Sequence, residues 1–227
     1  SSESLAPPKV DNDLVVVQTI DGKVAGYDAS DGSKRWEYAA KIPPLTLRGT
    51  STPMIYDDIV IAGFSNGRIA FITRDDGLAA FEQIVGVPEG VSDLEKLVDL
   101  DGKMAIENNV LYITGYQGKL IAIDLRAGEI LWEREASSLA GVSFGFGNVY
   151  LISVDGKVIA YNGANGREVW RVEALLNRQL NAPLVIGSYL AFTDFEGYLH
   201  LLAQSDGRFV SRKKLDSRGV GARLLQR

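Results

Sequence analysis

The sequence contains no cysteine, which excludes disulfides and thiolate metal sites and leaves the redox compartment open. No apolar run approaches the roughly 18 residues of a membrane-spanning helix. The opening SSESLAPPKV lacks the charged and apolar regions of a signal peptide. The chain is therefore expected to be soluble as it stands, with any export signal already removed. Basic charge is in deficit: 24 Lys and Arg against 29 Asp and Glu give a net charge of −5, which argues against a general nucleic-acid binder with its basic face. The loops are poor in aromatic residues, so a lectin-like platform for sugar stacking has nothing to build on.

What is present is a repeat. In GKLIAIDLRAGEILW, Gly118 is followed ten residues later by Gly128 and four after that by Trp132. The same frame fits Gly22, Gly32 and Trp36; Gly67, Gly77 and Phe81; Gly156, Gly166 and Trp170; and Gly197, Gly207 and Ser211, the last with serine where the ring should be. Before each first glycine lies a run rich in β-branched and aromatic residues: LVVVQT, IVIAGF, VLYITG, VYLISV and YLAFTD. Asp21-Gly22, Asn66-Gly67, Gln117-Gly118, Asp155-Gly156 and Glu196-Gly197 supply the glycine that a hairpin turn needs at positive φ. A second turn leads into a strand carrying the ring, and a short additional strand precedes each unit, near Pro8-Val10, Pro53-Ile55, Met104-Ile106, Val142-Phe144 and Pro183-Val185.

Four strands per unit, recurring about every 40 to 50 residues, predict an all-β chain folded as a β-propeller of four-stranded antiparallel blades. Length alone allows one large all-β domain or two small ones, and the repeat favours a single domain over 1–227. The blades are expected at about 6–39, 50–83, 104–136, 141–174 and 182–215, with GARLLQ in 220–227 beginning another. The strand between the glycines is apolar on both faces, as a strand covered by blades on either side should be. The rings Trp36, Phe81, Trp132 and Trp170 are assigned to the wedge between adjacent blades. His200 occupies the frame position of Ala25, Ala70, Ile121 and Ile159 and reads as a half-buried structural residue rather than a ligand.

Two connections exceed what a compact propeller needs. KIPPLTLRGTSTP, held extended by Pro43 and Pro44, sets Leu45 and Leu47 beside Arg48. The leucines either fold back onto their blade or bind a partner, and both readings stand. The longer insertion, QIVGVPEGVSDLEKLVDLDGKM, contains the capping-box pattern Ser92-Asp93-Leu94-Glu95, which predicts one or two helical turns through Leu97. Asp99 and Asp101 follow; a third acidic or histidine ligand for a metal is not evident, so no metal site is assigned. Strand order puts the connection between blades on the same face as the middle hairpin. Arg48, Asp99 and Asp101 are therefore expected to meet on one face. A chain ending in an unfinished unit is expected to be a piece of a longer protein, a ring of five blades closed by the leftover strand, or an open arc covered by another molecule.

The AIDLRAGEILW form resembles the repeat of quinoprotein-type propellers. PPLTLRGTSTP, SDLEKLVDLDG, YQGKLIAIDLRAGEILWERE and DFEGYLHLLAQSDGRFVSRKKLDS, in that order and spacing, are similar to the BamB family of outer-membrane protein assembly factors. That resemblance covers nearly the whole chain. It implies an eight-bladed propeller lipoprotein on the periplasmic face of a bacterial outer membrane, this chain matching about its third to seventh blades. It also implies a scaffold that binds the periplasmic POTRA domains of BamA and assists insertion of β-barrel proteins, with unfolded barrel clients as further partners. The family's contact positions fall on Leu45, Leu47, Arg48, Asp99 and Asp101. The lipid-bearing cysteine of the family is absent from this chain, as are the early blades. The alternative from another class is a quinone-dependent dehydrogenase. Such an enzyme needs a catalytic carboxylate, calcium ligands and usually a cysteine pair; the sequence shows no convergent acidic and amide cluster, so neither catalytic residues nor a cofactor are assigned.

Overall fold

The computed structural model describes residues 6–40, 52–64, 67–85, 103–115 and 118–215. All regular structure among them is β, in five four-stranded antiparallel sheets with strands in chain order. The first comprises β1 (Lys9–Asp11), β2 (Leu14–Gln18), β3 (Lys23–Asp28) and β4 (Lys34–Ala39). The second comprises β5 (Met54–Tyr56), β6 (Ile59–Gly63), β7 (Arg68–Thr73) and β8 (Ala79–Ile84). The third runs β9 (Ala105–Glu107), β10 (Val110–Ile113), β11 (Lys119–Asp124) and β12 (Glu129–Glu135). The fourth is β13 (Val142–Gly145), β14 (Asn148–Ile152), β15 (Val158–Asn162) and β16 (Glu168–Val172). The fifth is β17 (Leu184–Ile186), β18 (Tyr189–Thr193), β19 (Tyr198–Ala203) and β20 (Phe209–Lys214).

The chain divides into two compact units, one holding the first two sheets and the other the remaining three. In the first unit Leu14, Val16, Val24 and Trp36 of one sheet are buried against Val60, Ala62, Ala70 and Ile72 of the next. The second unit repeats this twice. Tyr112, Leu120, Ala122 and Trp132 pack on Val149, Leu151, Ile159 and Tyr161, and Tyr150, Ile152, Val158 and Ala160 pack on Leu190, Phe192 and Leu202. Strand β15, packed on both faces within this unit, carries four consecutive buried positions, Ile159 and Tyr161 facing the third sheet and Val158 and Ala160 the fifth.

The middle turns are not two-residue turns. Gly22 N donates to Thr19 O at 3.1 Å while Thr19 N pairs with Lys23 O at 2.9 Å, and the same two bonds join Ser153, Gly156 and Lys157. In these two turns only the glycine has positive φ, 79° at Gly22 and 92° at Gly156, which is the three-residue loop with a glycine bulge; Gly118, expected to do the same, does not take positive φ.

A second bulge recurs in the strand that carries the ring. Trp36 pairs with Gly26 but Lys34 pairs with Tyr27, leaving Arg35 as the extra residue. The extra residue is Ala80 before Phe81, Leu131 before Trp132, Val169 before Trp170 and Val210 before Ser211. An inserted residue re-aims its successor, and its own side chain is turned out: Leu131, Val169 and Val210 are exposed although apolar.

Candidate docking surface

The geometry of each sheet fixes where its connections leave. Past the fourth strand, Ala40 N donates to Gly22 O at 2.9 Å and Val85 N to Gly67 O at 2.8 Å. Both long connections therefore depart beside a middle hairpin, on the same end of their sheets. Leu45, Leu47, Arg48, Asp99 and Asp101, together with the helical turns expected through Leu97, lie outside the described residues.

The two sheets that the first connection links are tightly joined. Trp36 Nε1 donates to the carbonyl of Arg74 at 2.7 Å, and Gly77 lies so close beneath the ring that a Cβ there would sit 2.8 Å from its atoms. The Arg74 guanidinium reaches back to Asp11 at 2.6 Å and Asp13 at 3.0 Å. Hydrogen bonds from Arg35 and Arg74 hold the Asp13 carboxyl below its ordinary range. Towards the end where the connection leaves, buried Gln18 donates through Nε2 to Gly63 O at 2.7 Å, and the Tyr38 hydroxyl donates to Glu82 at 2.7 Å. Burial first, then the Glu82 carboxylate, raise the Tyr38 phenol well above its usual value, so the phenol keeps its proton and the cross-sheet bond. Ala40 and Val85, from which the two connections leave, are thus fixed to their sheets.

The ring contact has the same form in the second unit. Trp132 Nε1 donates to Gly163 O at 2.7 Å and Trp170 Nε1 to Gln204 O at 2.9 Å. In each case the acceptor stands three residues before the second glycine of the following sheet, and that glycine, Gly166 or Gly207, lies under the ring. The tyrosines Tyr112 and Tyr150 donate to the same two carbonyls at 3.2 and 3.3 Å. Ring and glycine are therefore two halves of one contact, made between successive repeats. Phe81 has a different immediate partner: it stacks on Phe71 of its own sheet, with ring centroids 4.0 Å apart.

On the corresponding end of the second unit, connection and hairpin are laced together by backbone bonds from Val154 to Ser137, Asn177 to Asp155 and Phe195 to Arg178. Leu139, Val154, Leu176 and Phe195 are exposed there. Sequence reasoning did not single these residues out, since Val154 closes the apolar run VYLISV and Leu176 adjoins Leu175.

His200 is fully buried rather than half-buried. Its Nε2 lies 2.9 Å from Asp194 Oδ2, and Asp194, equally buried, also accepts from Arg178 Nε at 2.8 Å and the Tyr198 amide at 2.9 Å. The partner that permits this burial, Asp194, stands three residues before Gly197, where the other repeats have Thr19, Phe64, Gly115 and Ser153. Burial holds the imidazole pKa below its ordinary value, partly opposed by Asp194. Burial alone would raise the Asp194 carboxyl, but the bonds from His200, Tyr198 and Arg178 outweigh it and the net shift is downward. Among the described residues no group of three His, Cys, Asp or Glu side chains is arranged to hold a metal ion.

A family model described as "Outer membrane protein assembly factor BamB" matches residues 1–172. Curated relatives of that name include the protein of Pseudomonas aeruginosa, 44% identical over 184 residues that make up 81% of this chain and 48% of the relative. The Yersinia pestis relative is 34% identical over 219 residues, 96% of this chain and 56% of its own length. The chain thus spans about half the length of the curated relatives it matches. Among solved structures, BamB of Moraxella catarrhalis is similar with a TM-score of 0.88 and 31% identity, covering 95% of this chain and 65% of that one. The quinohemoprotein alcohol dehydrogenase of Comamonas testosteroni is similar with a TM-score of 0.76 but 13% identity, covering 96% of this chain and 45% of that one, a likeness of fold alone.

Proposed function

The chain belongs to the outer membrane protein assembly factor BamB family, and on that premise we propose that it is part of a non-enzymatic scaffold that binds the periplasmic POTRA region of BamA and assists insertion of β-barrel proteins. The observation that carries this reading is the departure of both long connections beside a middle hairpin, at Ala40 and at Val85. Leu45 and Leu47 supply an apolar step. Arg48 with Asp99 and Asp101 sets the register of the docked partner, hydrophobic burial giving affinity and charge giving specificity. The protein containing this chain would work as a single eight-bladed ring, held by an N-terminal lipid anchor on the periplasmic side of the outer membrane, with unfolded barrel proteins as further ligands.

The test is a pull-down and titration with the periplasmic region of BamA. Arg48→Ala, folded by circular dichroism, is expected to lose about 2 to 5 kcal/mol of binding. Wild-type affinity of that variant would count against the assignment. The dehydrogenase alternative rests on fold alone; oxidation of a dye by the protein reconstituted with quinone and calcium would reinstate it.

A further inference from the structure

The outer strands differ in how their charges are matched. On β4, Lys34 pairs with Glu37 at 2.9 Å and Arg35 with Asp28 at 2.6 Å. On β8, Glu82 pairs with Arg68; on β12, Glu133 pairs with Lys119; on β16, Arg171 pairs with Glu168. Strand β20 carries Arg212, Lys213 and Lys214 in succession, all exposed, and none has a carboxylate within ion-pair distance among the described residues. This is a concentration of unmatched positive charge on a chain whose net charge is −5.

Two of the three cations are held together. Arg212 and Lys214 stand opposite His200 and Tyr198 on β19, so both lie on one face. The Arg212 guanidinium carbon is 4.0 Å and the Lys214 ammonium 5.3 Å from the centre of the Tyr198 ring. Attraction to the ring face gathers two like charges whose mutual repulsion a bound counter-charge would relieve. The third cation near that ring, Arg178, is already engaged by Asp194 and Glu196. Strand β20 is also the outermost of its sheet, so among the described residues one side of its backbone has no strand partner. Cations two residues apart on a strand stand about 7 Å apart along it, which is the spacing of alternate side chains on a second strand laid alongside.

We propose that the outer edge of β20 binds an extended acidic polypeptide, adding it as a strand whose carboxylates at every second residue face Arg212 and Lys214. Backbone hydrogen bonds supply affinity and the carboxylates choose the ligand. An anionic membrane or a nucleic acid would match the charge but make no use of the strand edge. This surface is separate from the loops assigned above to BamA.

Fluorescence anisotropy of the whole chain with a short labelled peptide alternating glutamate with threonine tests the proposal. The expected result is saturable binding that weakens with salt. Arg212→Ala/Lys214→Ala, with both substitutions on the exposed strand, should weaken it about tenfold or more. A lysine–threonine peptide, and an acidic peptide N-methylated at alternate backbone nitrogens, should not bind. Equal binding by the double variant or by the N-methylated peptide would overturn the proposal. So would tighter binding to phosphatidylglycerol vesicles or to single-stranded DNA than to the acidic peptide.

Discussion

Trp36 and Arg74 hold each other in both directions: the indole of Trp36 donates to the Arg74 carbonyl at 2.7 Å, and the Arg74 side chain returns to Asp11 and Asp13 of the sheet that carries Trp36. The two directions carry unequal energy. Trp36→Phe, which keeps most of the buried ring and loses the indole bond, is expected to cost about 0.5 to 1.5 kcal/mol. Arg74→Ala breaks ion pairs between a largely buried guanidinium and two mostly exposed carboxylates, and its effect should be the smaller because the carboxylates are solvated. Urea denaturation at low and high salt separates them, since only the Arg74 effect should shrink with salt.

Removing the ring altogether is a larger change. Trp132→Ala and Trp170→Ala each leave a cavity between two sheets and are expected to cost about 3 to 5 kcal/mol by chemical denaturation. Unchanged stability would remove the docking role.

The second glycines offer a graded comparison. Gly166 and Gly32 share a left-handed backbone, with φ of 67° and 74°, but a Cβ at Gly166 would lie 2.6 Å from the Trp132 ring whereas at Gly32 nothing stands within 4 Å. Gly32→Ala should cost only backbone strain, about 1 to 2 kcal/mol, and Gly166→Ala distinctly more. Equal losses would show that the ring yields freely.

Phe146 is a bulky residue at φ of 47°, 67% exposed, in the turn between β13 and β14. Asparagine adopts that conformation at less cost, so Phe146→Asn is expected to raise stability by about 0.5 to 1 kcal/mol in thermal or urea melts.

The buried pair Asp194 and His200 sets two pH windows. The folded state lowers the His200 pKa below its ordinary 6.5, so the unfolded chain takes up the proton first. The contribution is whole above pH 6.5 and is lost as pH falls from there towards the folded value. For Asp194, lowered from 3.8, the contribution is present above 3.8 and is lost as pH falls through its folded value. His200→Leu, which restores the aliphatic character of Ile121 and Ile159, should flatten the slope just below pH 6.5 in denaturation curves. A persisting slope would assign it to other groups.

The architecture was legible because glycine spacing and β-branched runs are local signals, and the short first strands fell within about one residue of where the sequence put them. The bulges at Arg35, Leu131 and Val169 were not legible. A single extra residue leaves composition unchanged and shows only when both strands are paired. His200 was underestimated because its enabling partner, Asp194, belongs to a turn position occupied by unlike residues in the other repeats. The matching of Trp132 to Gly166 was hidden as well. Both residues were visible, but their partnership crosses from one repeat to the next, and only packing reveals which glycine serves which ring.

That crossing has a consequence for how such a chain tolerates change. The features that seat Trp132 over Gly166 and Trp170 over Gly207 are all inside regular strands and tight turns, and none is in the segments that join one repeat to the next. The ring contact is thereby independent of linker length, while the linker between the fourth and fifth sheets keeps a separate hold on the joint through buried Leu175.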